Sequence, residues 1–233
     1  MRLLSRPDIE ETHECAYFPG LQSCRFRYFF ADNVSEDELN ILLSSGWRKF
    51  SNYYFRPDCV DCRRCIPIRI PVHDFMPSKS QRRVINKCSE FTVRFKPLEF
   101  REEIYEIYND HKVTRFGGTT TINDFIASFY IPSCPSIQSE YFLGDTLAGV
   151  GFIDVSSEAL SSVYMVYSSP FEKYRPGTYS IIKEIEFARD QGLNYYYLGY
   201  YIERNRSMAY KNNFYPHELY DWEKEVWIRV DKK

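Results

Sequence analysis

The cysteines of this chain include a triplet whose spacing suits metal chemistry. Cys59, Cys62 and Cys65 follow one another at Cys-x2-Cys-x2-Cys intervals. Neighbouring thiolates at this spacing can reach a common centre about 2.3 Å from each sulfur. The triplet therefore predicts a metal or cluster site, in preference to three separate buried thiols.

A fourth ligand for this site has to come from another part of the chain. Cys15 is the best candidate, and Cys24 and His13 are the alternatives in the same stretch. Four thiolates in a tetrahedral arrangement suit zinc, whereas three cysteines at this spacing followed by a proline are also typical of an iron–sulfur cluster. The residues alone leave the choice between zinc and iron–sulfur open.

A basic segment follows the triplet directly. Between Arg63 and Lys96 nine lysines or arginines stand against two acids, a local balance of +7 in a chain whose net charge is −2. Positive charge concentrated in one stretch predicts a polyanionic partner, because neutralised phosphates release counterions. Ser78, Ser80 and Gln81 add neutral donors of the kind that fix phosphates and sugars. The segment therefore predicts nucleic-acid binding.

The composition narrows the class of protein. The 233 residues allow one large core or two small domains packed together. No stretch approaches 18 consecutive apolar residues, and the N-terminus lacks the apolar segment of a signal peptide. Seven cysteines, an odd number partly in Cys-x2-Cys spacing, are expected to stay reduced. We therefore expect a cytoplasmic protein without a membrane partner.

Local signals predict the elements that must position these residues. Ser35 followed by Glu38 is a capping box, which starts a helix that runs to about Leu43. Pro67 and Pro71 suggest that their strand lies at a sheet edge. The other elements follow from periodicity and from glycine and proline positions. Helices are predicted at 99–112, 121–130 and 177–191, and strands at 26–30, 47–55, 66–72, 91–96, in 140–155 as a hairpin, at 160–168 and, last, at 193–202.

This order of elements predicts an α+β fold of the N-acetyltransferase-like (GNAT-like) kind, a mixed sheet with packed helices. A smaller cysteine-containing domain, residues 1–75, would precede a transfer domain, residues 76–233. N-acetyltransferases hold the coenzyme A pyrophosphate with backbone amides at the start of the long helix. Tyr179 brings a bulky side chain to that turn here, so we expect no coenzyme A.

Seven motifs in one order extend over nearly the whole chain. They are CAY at 15–17, YYFRPDC at 53–59, CIPIRI at 65–70, FMPSKSQRR at 75–83, SSVYMVY at 161–167, GTYSIIKEIEFARDQGLNYYYLGYYI at 177–202 and MAYKNNFYPHEL at 208–219. On these motifs the chain resembles the aminoacyl-tRNA protein transferases, the family of eukaryotic arginyl-tRNA transferase and bacterial aspartate/glutamate leucyltransferase. Its short length and the CIPIRI spelling are similar to the bacterial branch.

The resemblance implies a reaction and two macromolecular partners. An amino acid would pass from a charged tRNA, Leu-tRNA or Arg-tRNA, to the α-amine of a protein whose first residue is Asp or Glu. The ester is already activated, so this step needs no nucleotide. The enzyme has to orient both substrates, assist loss of the amine proton and stabilise an oxyanion.

The resemblance also implies roles for individual residues. Contacts to the tRNA acceptor end would come from Lys79, Gln81, Arg82 and Arg83, with Arg69 nearby. The transfer pocket would be lined by Tyr197, Gly199, Tyr200, Tyr210 and Lys211. The regulatory metal or cluster would be held by Cys15, Cys59, Cys62 and Cys65.

One departure from the family concerns the donor pocket. Relatives commonly carry an acid after the SSVYxxY strand, whereas this chain has Ser168 after Tyr167. An arginyl guanidinium needs a carboxylate partner, so we expect leucine as the donor and arginine as the alternative. Four acids elsewhere are possible replacements: Asp154, Glu184, Glu186 and Glu203.

Two other functions stay open from the sequence alone. One is an acyl-coenzyme A-dependent N-acetyltransferase, which the order of elements favours. The other is a non-catalytic RNA-binding module in which residues 59–87 form a metal-stabilised platform. Transfer of an amino acid from a charged tRNA would distinguish an aminoacyl-tRNA protein transferase from both of these alternatives.

Overall fold

Two sheets and six helices make up the part of the chain that the structure, a computed structural model, describes, residues 1–232. The strands are β1 (Arg2–Leu3), β2 (Asp8–Ile9), β3 (Phe26–Asp32), β4 (Arg48–Phe50), β5 (Tyr53–Pro57), β6 (Ile66–Pro71), β7 (Phe91–Pro97), β8 (Ser136–Leu143), β9 (Thr146–Val155), β10 (Ala159–Tyr167), β11 (Tyr195–Tyr201), β12 (His217–Asp221) and β13 (Val226–Val230). The α-helices are α1 (Glu36–Ser44), α2 (Lys79–Lys87), α3 (Glu102–Phe116), α4 (Ile122–Phe129), α5 (Pro176–Asp190) and α6 (Arg206–Ala209). Short 3-10 helices occupy Ser169–Tyr174 and Tyr210–Asn213.

The larger sheet has eight strands in the order β13-β12-β6-β11-β10-β9-β8-β7. Every neighbouring pair is antiparallel except β10 and β11, which run parallel and are connected through α5. The smaller sheet has the order β1-β3-β5-β4, with β2 paired to β3. The predicted α+β fold with a mixed sheet is therefore confirmed.

Helix α5 covers one face of the larger sheet, as its sequence predicts. Ile181, Ile182, Ile185 and Ala188 recur at helical intervals and are all buried. They pack in one cluster with residues of β6 and β11, such as Ile68. The apolar stripe thus fixes the position of α5, and with it the start of the helix beside the parallel strand pair.

Capping boxes begin two of the helices. The Ser35 hydroxyl accepts from the Glu38 amide and the Glu38 carboxylate accepts from the Ser35 amide, which confirms the predicted start of α1. Ser78 and Gln81 make the same reciprocal pair at α2. Helix α2 is not among the predicted helices, although its Ser-x-x-Gln capping box is visible in the sequence.

Three strand predictions need correction. The stretch 47–55 is a hairpin of β4 and β5 instead of one strand. The prolines of strand 66–72 predict a sheet edge, but β6 lies between β11 and β12. Its two prolines are tolerated there because β12 pairs only with Ile68 and Arg69, between them. Strand 193–202 is followed by β12 and β13, which extend the sheet beyond β6.

The division of the chain at residues 75 and 76 stays a prediction. Strand β6 belongs to the larger sheet although it precedes that boundary. A buried cluster also joins Phe29 and Tyr54 of the smaller sheet to Ala159 and Tyr197 of the larger one. Within residues 1–232, no helix is both long enough and apolar enough to span a bilayer.

Candidate functional site

The parallel strands β10 and β11 pair over only three residues before they separate. Ala159–Ser161 pair with Tyr195–Tyr197, and no further residues of the two strands are paired. Beyond this point the register of β10 shifts after Ser162, and that of β11 shifts between Tyr197 and Gly199. Bulges increase strand bending and twist. A cavity of about 820 Å³ opens where the strands diverge.

The cavity wall combines apolar side chains with the start of α5. Its residues come from both sheets, from α3, from the first turn of α5 and from the segment that leads into Lys211. The apolar part of the lining includes Val163, Tyr164, Met165, Ile181, Leu198 and Met208. No side chain of the described residues caps the N-terminus of α5, where Gly177 and Thr178 line the cavity. A helix start of this kind suits an anionic group.

The ionisable lining of the cavity is strongly basic. The cationic residues are Arg48, Lys49, Arg115, Arg175, Arg206 and Lys211. Among the described residues that line the cavity, Glu172 is the one acid, and its carboxylate already lies 2.9 Å from the Arg115 guanidinium. The cavity therefore offers no free carboxylate to a cationic substrate group.

Arg48, at the start of β4, is buried in the cavity wall with only 8% of its surface exposed. Its guanidinium donates to the Ser161 hydroxyl at 2.9 Å and to the Ser162 carbonyl. In residues 1–232 no carboxylate lies within ion-pair distance of it. Burial lowers the pKa of Arg48, because desolvation penalises the charged form.

Lys211 is a second buried cation without a carboxylate partner in the described chain. Its ammonium donates to the Tyr200 carbonyl at 3.1 Å. Burial, and then the positive charge of Arg48, lower the pKa of Lys211 from 10.5 to about 7. Gly199 lies in front of both cations: a Cβ at that position would stand 3.4 Å from Nζ of Lys211 and 3.6 Å from Nη2 of Arg48.

Four of the five residues predicted to line the transfer pocket are brought together in this cavity. Gly199, Tyr200, Tyr210 and Lys211 all line it. Tyr197 lies elsewhere: its hydroxyl accepts from Arg69 at 3.1 Å and its ring contacts Trp227 edge-on at 5.6 Å. A bulge between Tyr197 and Gly199 separates Tyr197 from Tyr200, and the two residues have different surroundings along one strand.

Of the two predicted donor-pocket residues, one lines the cavity and the other does not. Tyr167 lines the cavity, with its ring 4.8 Å from that of His111 and 5.0 Å from the Arg115 guanidinium. Ser168 is outside the lining, and its amide donates to the Ala148 carbonyl. Burial, and then the charge of Arg115, lower the pKa of His111 to about 4, so this ring stays neutral near pH 7.

None of the four possible replacement acids lines the cavity. Asp154 pairs with Lys49 at 2.9 Å, and Glu186 pairs with Lys183 at 2.7 Å. Glu184 is buried and accepts hydrogen bonds from three hydroxyl groups. Glu203 is exposed. The missing family acid is thus not replaced by any of these side chains.

Helix α2 carries an exposed basic face beside the segment of Lys211. Lys79, Arg82 and Arg83 are exposed, whereas Gln81 is buried and donates to the Asn213 carbonyl at 3.2 Å. Gln81 therefore holds the helix against the 3-10 helix that contains Lys211. Its predicted tRNA contact stays untested, but its amide is engaged inside the protein.

Arg69, the fifth residue predicted to contact tRNA, is enclosed by aromatic rings. Its guanidinium lies 3.7 Å from the Tyr195 ring and 4.3 Å from the Trp227 ring, and it donates to Glu218 at 2.6 Å. These contacts engage the guanidinium inside the protein, and its contact with tRNA stays a prediction.

The cysteines predicted to hold a metal lie near one another. Cys15, Cys24 and Cys59 form one buried cluster, and Cys62 packs against it. Burial, followed by the neighbouring thiols, raises the pKa of Cys24 and of Cys65 to about 12. Soft thiols suit zinc or an iron–sulfur cluster chemically. Within residues 1–232, however, no three Cys, His, Asp or Glu side chains stand in an arrangement that would hold a metal ion.

Tyr179 does not exclude coenzyme A, contrary to the expectation from its bulky side chain. Tyr179 is buried and contacts Phe91 and Tyr141, away from the cavity lining. Its side chain therefore does not obstruct the start of α5. Absence of coenzyme A stays a prediction.

Sequence reasoning missed Arg48. The residue lies between Trp47 and Lys49, in a predicted strand whose aromatic residues alternate with polar ones. In that pattern it resembles an ordinary charged residue. Its only local signal is a cation inside a short apolar and aromatic segment. That it faces a cavity follows from its contacts with β10, which is distant in sequence.

Comparison with known proteins gives consistent results. Residues 13–83 match the family model described as the N terminus of arginine-tRNA-protein transferase, and residues 101–221 match the model of its C terminus. Aspartate/glutamate leucyltransferase of Helicobacter hepaticus is 32% identical over 90% of this chain and 89% of its own length. The protein of the same name from Alkalilimnicola ehrlichii is 32% identical over 94% and 92%, respectively.

A solved structure shares the fold at low identity. L-PGS from Bacillus licheniformis superposes with a TM-score of 0.50 and 12% identity, covering 78% of this chain and 55% of that one. At this identity the likeness concerns the fold alone.

Proposed function

Because this chain belongs to the arginine-tRNA-protein transferase family, we propose that it transfers leucine from leucyl-tRNA to the α-amine of proteins that begin with Asp or Glu. Its curated relatives are named for leucine transfer and for these two acceptor residues. Arginine is the alternative donor, and the names of the relatives do not favour it.

The basic charge of the cavity lining favours leucine over arginine as the transferred amino acid. Its lining has six basic residues and one acid that is already paired with Arg115. A guanidinium cannot lose its proton, so an arginyl side chain would meet like charge without a carboxylate partner. A leucyl side chain needs only apolar contacts, which Met165, Ile181 and Leu198 supply.

The proposed reaction is a direct aminolysis. The acceptor nitrogen attacks the carbonyl carbon of the ester, a C–N bond forms, the C–O bond to the ribose breaks, and the leaving hydroxyl gains the proton that the amine loses. The protein contributes by holding amine and ester together in the cavity, where fixed dipoles and charges stabilise the developing oxyanion. Tyr210 and Lys211 are the proposed transfer residues of this lining.

We also propose how the fold serves the two substrates. A mixed sheet whose parallel strands diverge beside a long helix is the N-acetyltransferase-like arrangement, and the cavity lies at that divergence. The exposed cations of α2 would guide the tRNA backbone, and the uncapped start of α5 would receive its terminal phosphates. The cysteine cluster, in the predicted domain of residues 1–75, stays a predicted site for zinc or an iron–sulfur cluster, and no step of the proposed transfer depends on it.

A donor and acceptor matrix tests the function. Purified protein is incubated with labelled Leu-tRNA or Arg-tRNA and with peptides that differ only in a first residue of Asp, Glu or Ala. We expect leucine to reach the Asp and Glu peptides, with little transfer to Ala and slower transfer from Arg-tRNA. Faster arginine transfer would make the protein an arginyltransferase, and acetylation from acetyl-coenzyme A with no tRNA-dependent product would make it an N-acetyltransferase.

Neutralising the basic face of α2 is expected to weaken tRNA binding. Each lost phosphate contact lowers the slope of log K against log salt by about 1, so Arg82→Gln with Arg83→Gln should lower it by about 2. Binding of Leu-tRNA is measured between low and moderate salt. Arg229→Gln, which removes an exposed arginine at β13, is the matched control. An unchanged slope in the double variant would place these arginines outside the tRNA interface.

A further inference from the structure

We propose that Arg48 and Lys211, together with the Tyr200 hydroxyl, bind the side-chain carboxylate of the acceptor's first residue. This inference rests on the proposed function and adds the residues that select Asp and Glu. Arg48 has no part in the sequence prediction and no role that the comparisons assign.

The first observation is the uncompensated charge. Arg48 and Lys211 are 8% and 9% exposed, and no ion pair between described residues includes either of them. Their protein partners are the Ser161 hydroxyl and two backbone carbonyls, all of them neutral. Burying two neighbouring cations without an anion is costly. A bound carboxylate would remove that cost.

The second observation is the space between the cations. Gly199 has a backbone φ of 88°, a conformation that favours glycine, and a Cβ there would approach both charged groups. The absent side chain leaves room in front of Arg48 and Lys211, on the cavity side of β11. This room is where the carboxylate would lie.

The third observation is an unpartnered hydroxyl beside the same charges. The Tyr200 side chain lines the cavity and is buried, and its hydroxyl oxygen has no hydrogen-bond partner among residues 1–232. A buried hydroxyl without a partner loses the hydrogen bonds that it makes in water. Donation to a carboxylate oxygen would satisfy it.

The acceptor carboxylate suits this position better than a tRNA phosphate does. Both cations are buried in the cavity wall, whereas Arg175, Arg206 and the cations of α2 are exposed. The exposed cations and the start of α5 are therefore more accessible to the RNA backbone. A single carboxylate on a short side chain can reach the buried pair, and its α-amine is then held inside the cavity.

The test compares two peptides that differ only in a first residue of Asp or Asn, with Leu-tRNA as donor. Asn has the same shape without the charge. We expect wild-type kcat/KM to favour Asp, and Arg48→Gln to reduce that ratio by about tenfold to 100-fold while the KM for Leu-tRNA stays constant. Arg48→Lys keeps a cation and should retain an intermediate ratio. Arg56→Gln, on neighbouring β5 and outside the cavity lining, should leave the ratio unchanged.

Two outcomes of this comparison would overturn the proposal. An unchanged Asp-to-Asn ratio in folded Arg48→Gln, or in Arg48→Lys when Arg48→Gln does not fold, overturns the proposal. Equal losses for both peptides with a raised KM for Leu-tRNA also overturn it, and assign Arg48 to the RNA.

A binding measurement distinguishes failure of the proposed function from failure of the carboxylate site. If wild type transfers leucine to neither peptide, binding of the two peptides is measured by calorimetry without tRNA. Tighter binding of the Asp peptide that Arg48→Gln removes supports the carboxylate site; equal binding of both peptides by wild type overturns it.

Discussion

Lys211→Met is expected to remove most leucine transfer and at the same time to stabilise the protein at neutral pH. Truncating one member of a buried charged contact with a substrate costs about 2–5 kcal/mol, which corresponds to a loss of about 30-fold to several thousandfold in kcat/KM. Stability changes in the opposite direction, because the buried ammonium has no carboxylate partner among the described residues. Methionine has a similar length and no charge.

The pH dependence of unfolding follows from the pKa of Lys211. In the folded protein that pKa is about 7, against 10.5 ordinarily, so the unfolded chain binds more protons between these values. Stability therefore rises with pH from about 7 to about 10 in wild type, by about 1.4 kcal/mol for each unit of pKa shift at most. Lys211→Met should lack this rise and be more stable than wild type at pH 7. Urea unfolding at pH 7 and at pH 9.5 measures both effects.

Lys49→Met is the matched control for this stability gain. Lys49 is equally buried, but its ammonium lies 2.9 Å from Asp154. Its removal would leave a buried carboxylate unpaired, at a cost of about 3–5 kcal/mol. A destabilised Lys211→Met variant at pH 7 would mean that Lys211 holds the fold together and is not an uncompensated cation of the site.

Glu184→Ala is expected to destabilise the protein strongly. Glu184 on α5 is fully buried and accepts from Ser139 at 3.0 Å, from Tyr141 at 3.2 Å and from Tyr196. Alanine would leave three buried hydroxyls without their acceptor and a void beneath them. We expect a loss of about 3–5 kcal/mol in the free energy of unfolding, measured by urea denaturation.

Glu184→Gln separates the charge of this residue from its shape. Burial raises the pKa of Glu184 to about 7, although the three hydroxyls oppose the shift. The folded protein thus holds a proton between pH 4.5 and 7 that the unfolded chain releases, and this contribution to stability is lost as pH rises through 7. Relative to Glu184→Gln, wild type should lose stability between pH 5 and 7.5. A constant difference across this range would contradict the raised pKa; His111, whose contribution has the opposite slope, cancels between the two proteins.

The sequence by itself determined the elements whose causes are local. The stripe of Ile181, Ile182 and Ile185 predicts α5 because side chains three and four residues apart share one helix face. Ser35 and Glu38 locate the start of α1, and Gly144, at the turn between β8 and β9, marks that hairpin. Motif order also indicated the family, and the neutral Ser168 in place of an acid favoured leucine.

Only the tertiary structure decided where the cavity forms and what faces it. The cavity exists because β10 and β11 pair briefly and then diverge, a property of register between distant strands that no local pattern encodes. Arg48 and Lys211 come from opposite ends of the chain, and their lack of carboxylate partners in the described residues depends on every element packed around them. Tyr197 and Tyr200 look equivalent in the sequence, yet a bulge between them places Tyr200 at the cavity and Tyr197 against Trp227. Local propensities fix elements, whereas a site is fixed by long-range packing, and for that reason the sequence identified α5 but missed Arg48.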